Sequence, residues 1–165
     1  MSRRNSTACI ASNVFVRLWQ LYDDYTFQKY AAQSRRIFLS TAPRYSPGDV
    51  SIVIPTIDTP EALTESLSSQ LLNHPHEIVV VTIKTDRDRV LKLVEKVDDP
   101  DGKIRVLTVE VANKRRQMVC GIQATTGNIL ALVDDDTVWP SPAVLPHLLA
   151  GFEDATVGGA VGGQV

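Results

Sequence analysis

Cysteine is scarce. Cys9 and Cys120 are the only two in 165 residues, too few for a disulfide framework. The three histidines, His74, His76 and His147, neither cluster with them nor show ligand spacing. This argues against a structural zinc site, and the histidines read as solvated or packing residues. Long apolar runs are also missing. The longest, Ile129–Val133, falls far short of the roughly 20 residues of a membrane-spanning helix. The charged start at Arg3 and Arg4 is not followed by the apolar stretch of a secretory signal. Nor is there a surplus of one charge: 17 Lys+Arg against 19 Asp+Glu leave a formal net charge of −2. Binding nucleic acid by bulk electrostatics needs a basic excess, so no nucleic-acid partner is expected. The chain is 44% hydrophobic and 22% charged, a globular composition. A chain of this length buries roughly 70% of the surface it exposes when unfolded. Collagen-like, low-complexity and fully disordered classes are thereby excluded.

The composition divides the chain. Residues 1–49 hold seven Lys+Arg and three Asp, whereas residues 50–165 hold ten Lys+Arg and sixteen Asp+Glu. Eight of the ten aromatics lie between Phe15 and Tyr45. We therefore expect an aromatic, basic segment with its linker over residues 1–48 and a main domain over 49–165. Phe15, Leu18, Trp19, Tyr22 and Tyr25 follow helical spacing. Such a helix packs on the domain or a partner, or lies at a membrane surface through residues 15–40, where aromatics beside Arg and Lys suit the interface. Ser40–Asp49, with Pro43, Pro47 and Gly48, reads as a linker.

The main domain alternates strand and helix. Val50–Ile54 is a β-rich run stopped by Pro55, and Thr59-Pro60 reads as an N-cap with proline at the first helical position. Leu63, Leu67 and Leu71 give a helix over 60–72 one apolar face. Ile78–Ile83 is apolar enough for burial on both faces, as in a parallel sheet. Asp86 is placed to cap a helix over 87–97, followed by a turn at Asp98–Gly102 and a strand at Ile104–Val109. A third helix over 113–125 is expected to close at Gly127, with Ile129–Val133 as the next strand. Ser141-Pro142 starts a fourth helix, and Val157–Val161 reads as a fifth strand. These repeated units predict a doubly wound, mainly parallel α/β sheet. Its ligand site is expected beyond the carboxyl ends of the strands.

Asp134, Asp135 and Asp136 fall directly after the fourth strand. Adjacent carboxylates repel one another, and concentrating them there is costly without a cation. Their hard oxygens suit Mg²⁺ or Mn²⁺, and such an ion also holds a pyrophosphate leaving group. Alternation sends Asp134 and Asp136 to one side and Asp135 to the other. The plain alternative is an acidic turn. A haloacid-dehalogenase-like phosphatase is disfavoured because Thr137 follows Asp136 without a spacer and the motif follows the fourth strand, not the first. Lys114-Arg115-Arg116 opens the third helix, where cations oppose the helix dipole unless they serve an anion such as a diphosphate. The plain reading of that run is a solvated face.

Taken together, the chain resembles the family 2 glycosyltransferases, in particular the hyaluronan, chitin and capsular-polysaccharide synthase-like branch. The resemblance is carried by Val50–Thr56, Glu77–Thr82, Lys114–Met118, Thr126–Ile129, Val133–Thr137 and Val157–Gly159, in order, over about residues 49–165. It implies the Rossmann-like GT-A fold and a nucleotide-sugar donor, commonly UDP-linked. Pro55 and Thr56 would border the nucleobase, with Lys114 and Arg115 near the nucleotide. Asp134 and Asp136 would match the D-x-D that binds metal (Mn²⁺ or Mg²⁺) and diphosphate. Asp86 is the carboxylate nearest the place where the family holds uracil or ribose. A carbohydrate acceptor, a growing polysaccharide and the cytoplasmic side of a membrane are likewise implied.

The chain departs from the family in length, ending at Val165 before the acceptor half with its general base and Q-x-x-R-W segment. An inverting transfer needs a base for the acceptor hydroxyl, and no catalytic base is identified. Glu153-Asp154, the one acidic pair after the triplet, precedes the Gly-rich stretch and reads as solvated. Three function classes therefore stand side by side: the donor-binding half of a hexosyltransferase-type enzyme, a nucleotide-binding module without transfer, and an interaction protein that keeps only the fold.

Overall fold

The computed structural model describes residues 16–26, 28–29 and 39–162. Backbone contacts divide the chain into two compact units, Met1–Arg36 and Ile37–Val165. In the first, residues 16–26 are helical. Leu18, Trp19, Tyr22 and Tyr25 are all exposed, as are Arg17, Gln20, Asp23 and Asp24, so exposure does not single out the aromatic stripe. The Trp19 and Tyr22 rings lie 6.3 Å apart. Phe15, Phe27, Tyr30 and Phe38 fall outside the described residues. No described helix is long and apolar enough to cross a membrane.

In the second unit, four strands form one parallel sheet: β1 (Val50–Pro55), β2 (Glu77–Ile83), β3 (Ile104–Val109) and β4 (Ile129–Leu132). Their order is β3-β2-β1-β4, with Ile52 in register with Ile78 on one side and Ala131 on the other. The expected doubly wound parallel sheet is therefore present. Val and Ile dominate β1 and β2 because β-branched side chains fit a pleated surface packed on both sides. Helices α1 (Leu63–Leu71), α2 (Arg87–Val94) and α4 (Val144–Leu149) cover one face. There Ile52, Ile54, Ile78 and Val80 meet Leu63, Leu67, Val90, Leu93, Leu145 and Leu149. Each such fully buried side chain contributes roughly 1.5–3 kcal/mol. Helix α3 (Lys114–Ala124) covers the other face, with Cys120 packed against the Val53, Val79 and Val81 cluster.

The helix starts differ from the sequence reading, and two of the differences share a cause. Thr59 does not cap α1, which begins after Ala62, and Asp86 makes no side-chain cap on α2. Instead Asp86 Oδ2 accepts both the Thr59 N–H, at 3.0 Å, and the Thr59 hydroxyl. Two groups read as caps thus bind each other, pinning the β1–α1 loop to the end of β2. Gly127 does not close α3, whose C-cap is Thr125 in extended conformation. Glycine is required at 127 by close approach: a Cβ there would lie 2.6 Å from Ser51 Oγ and 2.8 Å from the Asp49 carbonyl. No strand forms over residues 157–161.

The stretch read as a linker is packed. Tyr45 lies against the main core and edge-on to Phe152, Arg44 N donates to Glu153 Oε1 at 2.8 Å, and Pro47–Asp49 forms a 3₁₀ turn leading into β1. Glu153 is therefore hydrogen-bonded to the backbone, not merely solvated.

Candidate functional site

The chain leaves β1 toward β2 on one side and returns through β4 on the other, so the strand order reverses at β1. In such sheets ligands bind outside the carboxyl ends of the strands at this point. A cleft of about 280 Å³ opens there. Pro55, Thr56 and Ile57 line it from the end of β1, Lys114 and Gln117 from α3, and Asp134, Asp135 and Asp136 from the end of β4.

The triplet is sorted by its partners. Residues 134–137 form a turn, with Thr137 N donating to the Asp134 carbonyl at 3.2 Å. Asp134 and Asp136 are exposed, while Asp135 is half-buried. The buried Thr56 hydroxyl donates to Asp135 Oδ2 at 2.5 Å and lies 3.0 Å from the buried Thr59 hydroxyl, which donates to Asp86. Asp135 thereby ties β4 to β1, and the alternation read from sequence corresponds to one structural and two solvent-facing carboxylates. Burial pushes the Asp86 carboxyl up, but the Thr59 hydroxyl and N–H outweigh it and hold it below the usual range. Asp86 is connected to the cleft through Thr59 and Thr56 and is not among the residues that line it.

The basic cluster divides. Successive helical residues point about 100° apart, so Lys114 faces the cleft while Arg115 and Arg116 border a second groove with Val119, Cys120 and Gln123. Lys114 Nζ donates to Asp134 Oδ1 at 2.6 Å. That bond and the attraction of all three aspartates hold its pKa above the ordinary value. Asn113 caps α3 through Oδ1, which accepts the Arg116 N–H at 3.1 Å.

Several positioning residues escaped the sequence reading. Gln117 is fully buried. Its Nε2 donates to the carbonyls of Thr56, at 2.7 Å, and Val81, at 2.8 Å, and so anchors α3 to the ends of β1 and β2. Its Oε1 is buried without a hydrogen-bond partner. Ser66, Ser69 and Gln70 on α1 and Asn73 just after it hold the chain that follows the triplet. Ser66 and Gln70 donate to the Thr137 carbonyl, Ser69 accepts from Trp139 N, and Asn73 bonds Ser141 O and Leu145 N. Their i, i+3, i+4, i+7 spacing beside the leucine face was the available signal.

The family model described as "Glycosyltransferase like family 2" matches residues 47–165. The NDP-glycosyltransferase ltbB of Aspergillus luteorubrus is 41% identical over 147 residues, covering 88% of this chain and 36% of that protein. A type 2 glycosyltransferase of Zymoseptoria tritici is 41% identical over 126 residues, covering 76% of this chain and 26% of its own length. The chain thus spans about a third or less of these curated relatives. Among solved structures, the mannosyltransferase PcManGT of Pyrobaculum calidifontis, in complex with GDP-Man and Mn²⁺, superposes with a TM-score of 0.65 at 22% identity. That likeness covers 91% of this chain and 45% of the mannosyltransferase and shows a shared GT-A-like fold. With its fold, the order of its motifs and the family match in agreement, this chain belongs to the family 2-like glycosyltransferases.

Proposed function

We propose that the second unit is the donor-binding part of a glycosyltransferase that takes a nucleotide sugar, UDP-linked, and elongates a polysaccharide as in the hyaluronan, chitin and capsular synthase-like branch. The observation that carries this reading is the cleft at the ends of β1 and β4, lined by two exposed carboxylates, Asp134 and Asp136, and by Lys114, which is bonded to Asp134. Pro55 and Thr56 border the base, and Asp86 supports that end through Thr59. Arg115 lies one groove away from the cleft, so we give the nucleotide contact from the basic cluster to Lys114.

The donor set suits a divalent ion. Among the described residues no group of three or more His, Cys, Asp or Glu side chains forms a metal cage. Mg²⁺ and similar hard ions are commonly held by one or two carboxylates together with substrate phosphates, and Asp134 and Asp136 supply such a pair. Mn²⁺ or Mg²⁺ there would stabilise the departing nucleoside diphosphate. The carbohydrate acceptor would meet the sugar in the open cleft. The exposed aromatic helix over residues 16–26 would rest on the cytoplasmic face of a membrane.

A second reading, nucleotide binding without transfer, is favoured by the position of Glu153, whose carboxylate accepts the Arg44 N–H at 2.8 Å and is not among the residues that line the cleft. Calorimetric titration of UDP and of GDP, with and without Mn²⁺, tests the donor site. We expect Mn²⁺-dependent UDP binding that D136A weakens by about tenfold or more. Affinity that ignores Mn²⁺ and survives D136A would refute the reading, and a preference for GDP would overturn the UDP assignment.

A further inference from the structure

If Asp134 and Asp136 hold the ion and the diphosphate, as proposed above, then Lys114 stands where the ion must bind. Its ammonium already occupies Asp134 Oδ1 at 2.6 Å. We propose that Lys114 is exchanged between two anions: it neutralises Asp134 until a divalent cation takes that oxygen, and its released ammonium then carries its charge to the donor diphosphate. The ion consequently binds before the nucleotide.

Three observations support this. First, the pair is exposed, with side-chain accessibilities of 61% for Lys114 and 59% for Asp134. Ion pairs this open to solvent are weak, so Lys114 yields readily to a doubly charged ion yet screens the triplet while none is bound. Second, the backbone beneath Lys114 is fixed while its side chain is open to solvent. Gln117 fastens α3 to Thr56 and Val81, Asn113 caps its first turn, and the flexible four-carbon stem lets the ammonium change partner without moving the helix. Third, the nucleotide brings a diphosphate into a cleft that already contains three carboxylates. Among the described residues Lys114 is the one basic side chain lining it, since Arg115 and Arg116 border the neighbouring groove. Once released, it is the available counter-charge.

The test is K114M, which keeps the stem and removes the charge, measured beside wild type and D134N in the full chain. Mn²⁺ alone is titrated first, followed by electron paramagnetic resonance; UDP is then titrated at saturating Mn²⁺. We expect K114M to bind Mn²⁺ roughly two- to fivefold more tightly than wild type and UDP about tenfold more weakly. D134N should lose Mn²⁺ affinity. One substitution acting in opposite directions on the two ligands is not the behaviour of a merely structural residue. Unchanged or weaker Mn²⁺ binding by K114M, in a wild type whose UDP affinity rises with Mn²⁺, overturns the exchange and leaves the donor site standing. Tighter Mn²⁺ with unchanged UDP affinity overturns the diphosphate step. A wild type that binds no Mn²⁺ overturns both this inference and the reading on which it rests.

Discussion

Glu77 combines burial, a strongly shifted pKa and several polar partners, yet it lies at the end of the sheet opposite the cleft. It accepts from Ser51 Oγ, from Thr126 N and Oγ1, and from the Arg105 guanidinium. Burial pushes its carboxyl up, but the Thr126 N–H, Arg105 and the two hydroxyls outweigh this and bring the pKa to about 2. The group serves the fold by tying β1, β2, β3 and the α3–β4 turn together. Because the folded pKa lies below the usual 4.5, its stabilisation is complete above about pH 4.5 and is lost as pH falls toward 2. We expect E77Q to cost up to about 3 kcal/mol at neutral pH and to flatten the acid limb of stability between pH 4.5 and 2. Urea unfolding across that range decides it, and an acid limb as steep as that of wild type would contradict the assignment. The residue scale is also where the sequence was least legible. Thr59 and Asp86 carry correct cap chemistry, but they find each other across 27 positions. Gln117 gave no signal because a polar residue on a polar helix looks solvated. Its burial follows from where α3 lands on the sheet.

At the scale of elements, legibility was high wherever apolar periodicity was strong. β1, β2, β3 and β4 fall within a residue of their expected ranges because each is a β-branched or leucine run bounded by a breaker or a turn. The helices were found but drawn too long, since the sequence shows the apolar stripe and not the capping bonds that end it. The close seat of α3 was not legible. A Cβ on Gly121 would come within 2.4 Å of Val53 Cγ1 and 3.1 Å of Val81 Cγ2, so glycine there sets how near α3 lies to β1 and how Gln117 and Lys114 are delivered. In an open helix, Gly→Ala stabilises by about 1 kcal/mol. Here overpacking, about 1–3 kcal/mol, wins, and G121A should destabilise the chain and weaken Mn²⁺-dependent nucleotide binding. A gain in the urea midpoint would contradict this close packing.

At the scale of the whole molecule, the sheet brings Thr56, Lys114 and the aspartate triplet together from three separate stretches of sequence. The reversal of strand order at β1 places the cleft between them. That convergence was legible, because alternating strands and helices already specify which ends meet. What the resemblance assigned to an acceptor half has no counterpart among the described residues. Leu130 and Leu132 are 39% and 48% exposed, leaving apolar surface on the edge strand β4. On the proposed reading, nucleotide binds at the carboxyl ends of β1 and β4. Backbone amide shifts of the isotope-labelled chain, recorded as UDP and Mg²⁺ are added, test it most directly. We expect shifts centred on Thr56, Ile57, Lys114 and Asp134–Asp136, with Ser51, Thr126 and Gly127 at the far edge unmoved. Shifts centred on that far edge, or none at saturating UDP and Mg²⁺, would contradict it.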